Sequence, residues 1–143
     1  MTTGACIAAA ARGFVGTPFH HQGRAPGAGM DCVGVAVLAC GAAGRQVVDF
    51  TAYGRVPRGT LMPACEARFM RVQRDPEVGD LIAFWILRPA YPWHVGVCVA
   101  PGRMVHAFGS AGFVCEQDIT QDWTSRIVAV FDMTRAPSEV IGG

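Results

Sequence analysis

The stretch Gly29-Met30-Asp31-Cys32-Val33-Gly34-Val35-Ala36-Val37-Leu38-Ala39-Cys40-Gly41 puts a thiol where a helix should begin. Asp31 is a good N-cap, and the run from Cys32 to Cys40 behind it is small and apolar. Cys32 therefore falls in the first helical turn, where unpaired backbone N–H groups and the helix dipole favour negative charge. A free thiol titrates near ~8.5 and a helix N-terminus lowers that value, so the position makes Cys32 a candidate nucleophile in need of a base. Asp31 is first of all a cap, and its own charge opposes formation of a thiolate.

Upstream, Thr2 or Thr3 is placed to cap a helix over Ala5 to Arg12 that stops at Gly13. Pro18 makes the segment from Gly16 to Gly23 an extended or turn region, and a loop rich in glycine carries the chain into Cys32. Downstream, Gly41 to Gly44 ends the helix, Val47 to Phe50 is a short extended piece, and Tyr53 to Gly59 is a polar loop. Thr60 is placed to cap a third helix over Leu61 to Arg71. From Pro76 the pattern changes. Leu81–Ile86, Val95–Val99, Met104–Phe108, Phe113–Glu116 and Ile127–Phe131 are short, β-rich and separated by turn residues. Helices first and strands later predict an α+β domain, its helices on one side of a largely antiparallel sheet of about five strands.

A chain of 143 residues is one domain in length and buries roughly 70% of its unfolded surface, so residues 1–143 form a single unit with a core of about 12–131 and a tail at 132–143. The hydrophobic fraction is 51%, yet no run approaches the ~18 consecutive apolar residues of a membrane span. Net charge is +1, and the 12 basic residues, all Arg, are scattered, which leaves no footprint for nucleic acid. The first 12 residues lack the basic start of a secretory signal, so synthesis in the cytoplasm is expected. Six cysteines without a CxxC pair read as reduced thiols, with Cys6, Cys40, Cys98 and Cys115 acting as small hydrophobes inside apolar runs.

A nucleophilic Cys needs an imidazole to take its proton, and that imidazole needs a third group to orient it. His94 enters one strand and His106 lies in the next. Two even-numbered residues share a face of an antiparallel pair only if the connecting loop is odd in length or a bulge shifts the register. Pro101-Gly102 matches poorly the primed turns that two-residue hairpins prefer, so a three-residue loop and same-face histidines are expected. Zinc held by Cys32, His94 and His106 is a competing use of the same side chains, disfavoured because the sequence offers no close-spaced ligand pair.

Asp31-Cys32-Val33-Gly34 at a helix start, Gly79-Asp80-Leu81-Ile82-Ala83-Phe84, His94-Val95-Gly96-Val97 and Val105-His106-Ala107 resemble, in that order, the NlpC/P60 cysteine peptidases. The resemblance spans roughly Arg12 to Phe131. The short length and the run Gly16-Thr17-Pro18-Phe19-His20-His21-Gln22 resemble, more narrowly, the tail-associated cell-wall peptidases of phages and gene transfer agents. The resemblance implies a papain-like fold without a cofactor, Cys32 as nucleophile, His94 as base and His106 as its orienter. It implies peptidoglycan stem peptides as substrate, cut after γ-linked D-glutamate, and a place at the virion tail tip among tail hub proteins. Phe19, His20, His21, Gln22, Asp31 and Trp93 would line the substrate site. Phe19 stands where many family members carry a Tyr that assists at the carbonyl oxygen; either His20, His21 or Gln22 replaces that donor or activity is weak. A structural tail-tip or plug protein with the same fold is the second reading.

Overall fold

The computed structural model describes residues 1–138. The Thr2 hydroxyl accepts from the Ala5 N–H at 3.1 Å and starts helix α1 (Thr3–Gly13). A two-stranded ribbon, β1 (Arg24–Ala25) and β2 (Gly29–Met30), then delivers the chain to α2 (Cys32–Ala42). Asp31 caps α2 as expected, its Oδ1 accepting from the Gly34 N–H at 2.9 Å. Gly34 has to be glycine: a Cβ there would sit 2.4 Å from the Gly23 carbonyl oxygen, so the loop before the helix lies directly on its first turn.

The third helix is shorter than the sequence predicts. α3 (Leu61–Arg68) begins after Thr60, whose side chain makes no capping bond, and it ends because Phe69 turns extended. Met70–Val72 forms β3, and that strand is the difference between the expected five and the observed six strands. The others are β4 (Asp80–Phe84), β5 (His94–Ala100), β6 (Arg103–Phe108), β7 (Phe113–Asp118) and β8 (Ile127–Asp132). Their order is β3-β8-β4-β5-β6-β7, antiparallel throughout. A short helix, α4 (Gln121–Thr124), precedes β8 and was not legible from periodicity.

Alternation along the strands separates two cores. Leu81, Ala83, Val95, Val97, Val105, Ala107 and Phe131 face α1 and α2 and pack with Ile7, Ala11, Val35 and Ala39. Ile82, Phe84, Cys98 and Met104 face the other way, where Trp123 of α4 covers them. Helices do lie on one side of the sheet, but the opposite side is not bare. Met133, at the start of the expected tail, is fully buried and sits 3.6 Å, sulfur to sulfur, from Cys40. The tail therefore begins inside the core; residues 139–143 lie outside the described residues.

The β5–β6 hairpin decides where the histidines go. Ala100 pairs with Arg103 across a two-residue turn in which Gly102 has φ +70, the combination of Pro then left-handed Gly that a type II turn asks for. Cys98 pairs with Met104, so two steps along β5 match one step along β6 and Val99 is an extra, bulged residue. The expected three-residue loop is absent. The bulge restores the parity instead, and His94 and His106 share a face.

Candidate functional site

His94 opens β5 opposite Phe84, and its Nε2 lies 2.7 Å from Nδ1 of His106. Both rings are buried. Phe84, Phe108 and Trp123 enclose them, with Trp123 5.6 Å from His94 and 5.3 Å from His106, centroid to centroid. This shell keeps bulk water from the imidazole pair. It also pushes both imidazoles below their usual range: His94 well below, through burial and then the neighbouring His106, and His106 through burial, opposed by its hydrogen bond to Gln117. His106 Nε2 and Gln117 Oε1 are 2.6 Å apart.

Cys32 reaches the same place from the helical layer. It lines a cleft of about 530 Å³ together with His94. Burial, and after it the charge of Asp31, pushes the thiol up to about 12. A lone thiolate is therefore not the resting form, whatever the helix dipole contributes. Burial favours the neutral thiol and the neutral imidazole alike in this cleft, so ionisation has to accompany proton transfer.

Of the other side chains expected at the site, Phe19, His21, Asp31 and Trp93 line the cleft. Phe19 is held by a hydrogen bond from its N–H to the Gly112 carbonyl, 2.9 Å, and contributes a ring but no hydroxyl. His21 stands edge-on to Tyr53, centroids 5.5 Å apart. His20 and Gln22 are not among the lining residues. His20 is exposed with Nδ1 3.0 Å from the His21 carbonyl oxygen. Gln22, in the left-handed region at φ 59, spends its side-chain amide on the Thr51 and Tyr53 carbonyls at 2.8 and 2.7 Å. It is a strut that ties the loop after α2 to the loop before it.

The same strut includes residues that sequence reasoning passed over. Asp31 Oδ1 accepts from Arg24 Nη1 at 2.8 Å, and Oδ2 accepts from the Gln22 N–H at 2.7 Å and from the Tyr53 hydroxyl. Arg24 further donates to the Phe50 carbonyl, the Tyr53 oxygen and Asp49. So the nucleophile's cap is a buried, four-donor carboxylate, and Tyr53, assigned above to a polar loop, forms a wall of the cleft. Burial, and then its bond to Asp31, raises the Tyr53 hydroxyl's pKa, which keeps it a donor. No periodicity could have announced Tyr53; an aromatic inside a Pro- and Gly-containing loop was the only available signal.

Among the described residues no three His, Cys, Asp or Glu side chains gather as a set of metal ligands. The two imidazoles bond each other at 2.7 Å, closer than the ~3.3 Å that two nitrogens keep on one tetrahedral zinc with bonds of about 2.0–2.1 Å. No helix of the described residues is long and apolar enough to cross a membrane.

Comparison with known proteins gives this arrangement relatives. The model of the NlpC/P60 family matches residues 16–132. A Staphylococcus aureus protein described as similar to a lipoprotein of the NLP/P60 family superposes with a TM-score of 0.69 at 19% identity, over 92% of this chain and 41% of that one. The chain thus spans less than half of that relative. The NlpC/p60 domain of the peptidoglycan hydrolase SagA superposes at 0.66 with 25% identity, over 91% of this chain and 98% of that one. RipD of Mycobacterium tuberculosis, described as a non-catalytic NlpC/p60 domain protein adapted to peptidoglycan binding, gives 0.65 at 16% identity, over 92% and 97%. No curated protein matches the sequence.

Proposed function

The chain belongs to the NlpC/P60 family, and on that premise we propose that it is a cysteine peptidase that hydrolyses peptidoglycan stem peptides through an acyl-enzyme on Cys32. The observation that carries this reading is that Cys32 and His94 line one cleft while His94 is hydrogen-bonded to the buried His106. Cys32 Sγ attacks a peptide carbonyl while His94 takes the thiol proton. The tetrahedral oxyanion collapses, the C–N bond breaks, and His94 returns the proton to the leaving amine. Water then attacks the thioester carbonyl as it gives a proton to His94, the C–S bond breaks to release the acid, and His94 returns the proton to Cys32 Sγ. His106 orients His94 throughout.

The oxyanion needs donors where the helix begins. Cys32 and Val33 are the first residues of α2, so their N–H groups have no carbonyl partner within the helix and are the backbone donors available there. Phe19 supplies none, and among His20, His21 and Gln22 only His21 lines the cleft, so His21 is the side chain available to take that part. The bond cut is the one after γ-linked D-glutamate, the family's usual target. The working place is the tip of a phage-like tail, made in the host cytoplasm and carried to the wall. The likeness of the Gly16–Gln22 run to tail-associated peptidases supports this place, and tail hub proteins would be the partners.

Purified protein is expected to release soluble peptides from isolated peptidoglycan, and Cys32→Ala to stop release while keeping the melting temperature within a few degrees. Equal release by the variant removes Cys32 from the reaction. The phenyl ring at position 19 favours a second reading, a structural tail-tip component with the fold and no turnover. No release by the wild type, alone or in assembled particles, establishes that one.

A further inference from the structure

Beyond the three residues of the proposed reaction, the hydrogen-bond chain has a fourth member. Gln117 Oε1 lies 2.6 Å from His106 Nε2, and His106 Nδ1 lies 2.7 Å from His94 Nε2. Each contact holds one hydrogen, and a neutral imidazole carries only one N–H. An amide oxygen can only accept. His106 must then be protonated on Nε2, which leaves Nδ1 a lone pair. That lone pair requires the hydrogen on Nε2 of His94, and His94 is left with a bare Nδ1. An amide turned the other way would reverse every link and put a hydrogen on His94 Nδ1, where a proton has to be received.

The amide atom placed toward His106 is the oxygen, and the Cys115 thiol, 4.0 Å from that atom, is able to donate to it as well. The strand is also fixed on either side of Gln117. Glu116 is paired with Arg12 and Arg103, each at 2.9 Å, and Asp118 is paired with Arg103 at 2.5 Å.

We propose that Gln117 is a positioning residue that sets the tautomers of both histidines and thereby makes His94 Nδ1 the lone pair open to the Cys32 thiol. The proposal rests on the cysteine peptidase reading for its purpose, but its content is measurable without turnover.

The test uses the full chain with ¹⁵N-labelled histidine at pH 8, with ring tautomers read from long-range ¹H–¹⁵N correlations. The wild type is expected to show Nε2–H and bare Nδ1 at both His94 and His106. A hydrogen on Nδ1 of His106 overturns the proposal. Gln117→Leu removes the acceptor and should give mixed tautomers at His106, with alkylation of Cys32 by iodoacetamide, located by mass spectrometry, slowed roughly tenfold. Gln117→Glu keeps an acceptor and should restore both. Wild-type tautomers and alkylation rate in Gln117→Leu also overturn it. If that variant does not fold, the wild-type and Gln117→Glu spectra decide. Peptide release is measured in parallel. The expected tautomers without release defeat the peptidase reading alone, and release with the reversed tautomers defeats the role of Gln117 alone.

Discussion

Arg24→Met should be the most informative substitution outside the reacting groups. The Arg24 guanidinium is mostly buried and bonds Asp31 at 2.8 Å, the Phe50 carbonyl at 2.9 Å, the Tyr53 oxygen at 3.0 Å and Asp49 at 3.0 Å. Methionine preserves the stem and deletes the charge. Asp31, only 3% exposed, then keeps its three other donors but loses its counter-ion. Breaking a buried pair costs about 3–5 kcal/mol, and the remaining donors place this one near the lower end, about 3. The contact with half-exposed Asp49 adds little. For a chain of this length that is a fall of roughly 10 °C in Tm. Urea unfolding followed by the fluorescence of Trp85, Trp93 and Trp123 measures it. Because Arg24 and Gln22 together hold residues 49–53, the same variant should be cut sooner by limited proteolysis between Asp49 and Gly59. A loss under ~1 kcal/mol with unchanged proteolysis would refute the view that this ion pair clamps the cleft wall to the helix cap.

Three further outcomes follow from the same structure. His94 accepts a proton only while neutral, and burial holds it well below its usual value, so the acid limb of kcat/KM should lie below pH 6.5; a limb at or above 6.5 contradicts the burial argument. Both imidazoles stay neutral in the fold while the unfolded chain takes up protons below about pH 6.5, so stability present above that pH should be lost as pH falls toward the depressed folded values, and urea midpoints at pH 7.5 and 5.5 should differ less in His106→Gln than in the wild type. Gly79 and Gly102 both have positive φ, but a Cβ on Gly79 would lie 2.4 Å from Gly4 Cα whereas one on Gly102 meets nothing within 4 Å. Gly102→Ala should therefore cost about 1–2 kcal/mol from backbone strain alone and Gly79→Ala at least ~3, and equal losses in denaturant titration would show that the contact between α1 and the turn before β4 yields.

The helix start at Asp31-Cys32 was legible because a capping side chain and an apolar run are local signals, and the five longer strands because β-rich runs between turn residues are as well. Met70–Val72 escaped because three residues continuing a helical spacing carry no signal of their own; pairing with β8 makes them a strand. α4 escaped because one turn has no period. At the site, His94 and His106 could be named and expected on one face, but the route was missed, since the parity comes from one unpaired residue in β5 and not from a three-residue loop. The roles of Arg24, Tyr53 and Gln117 depend on neighbours 7 to 29 positions away and on the direction of single hydrogen bonds, which no spacing encodes.

The bulge at Val99 makes the histidine interval a matter of odd and even. Any one-residue insertion or deletion between His94 and His106 that the turn does not itself absorb would carry the two rings to opposite sides of the sheet, however well the rest of the chain folded. Losses or gains of two would be harmless by comparison. Descendants of this chain are thus free to lengthen the hairpin at its tip, where the turn takes up the added residues, while the paired residues between each histidine and the tip have to change in even steps.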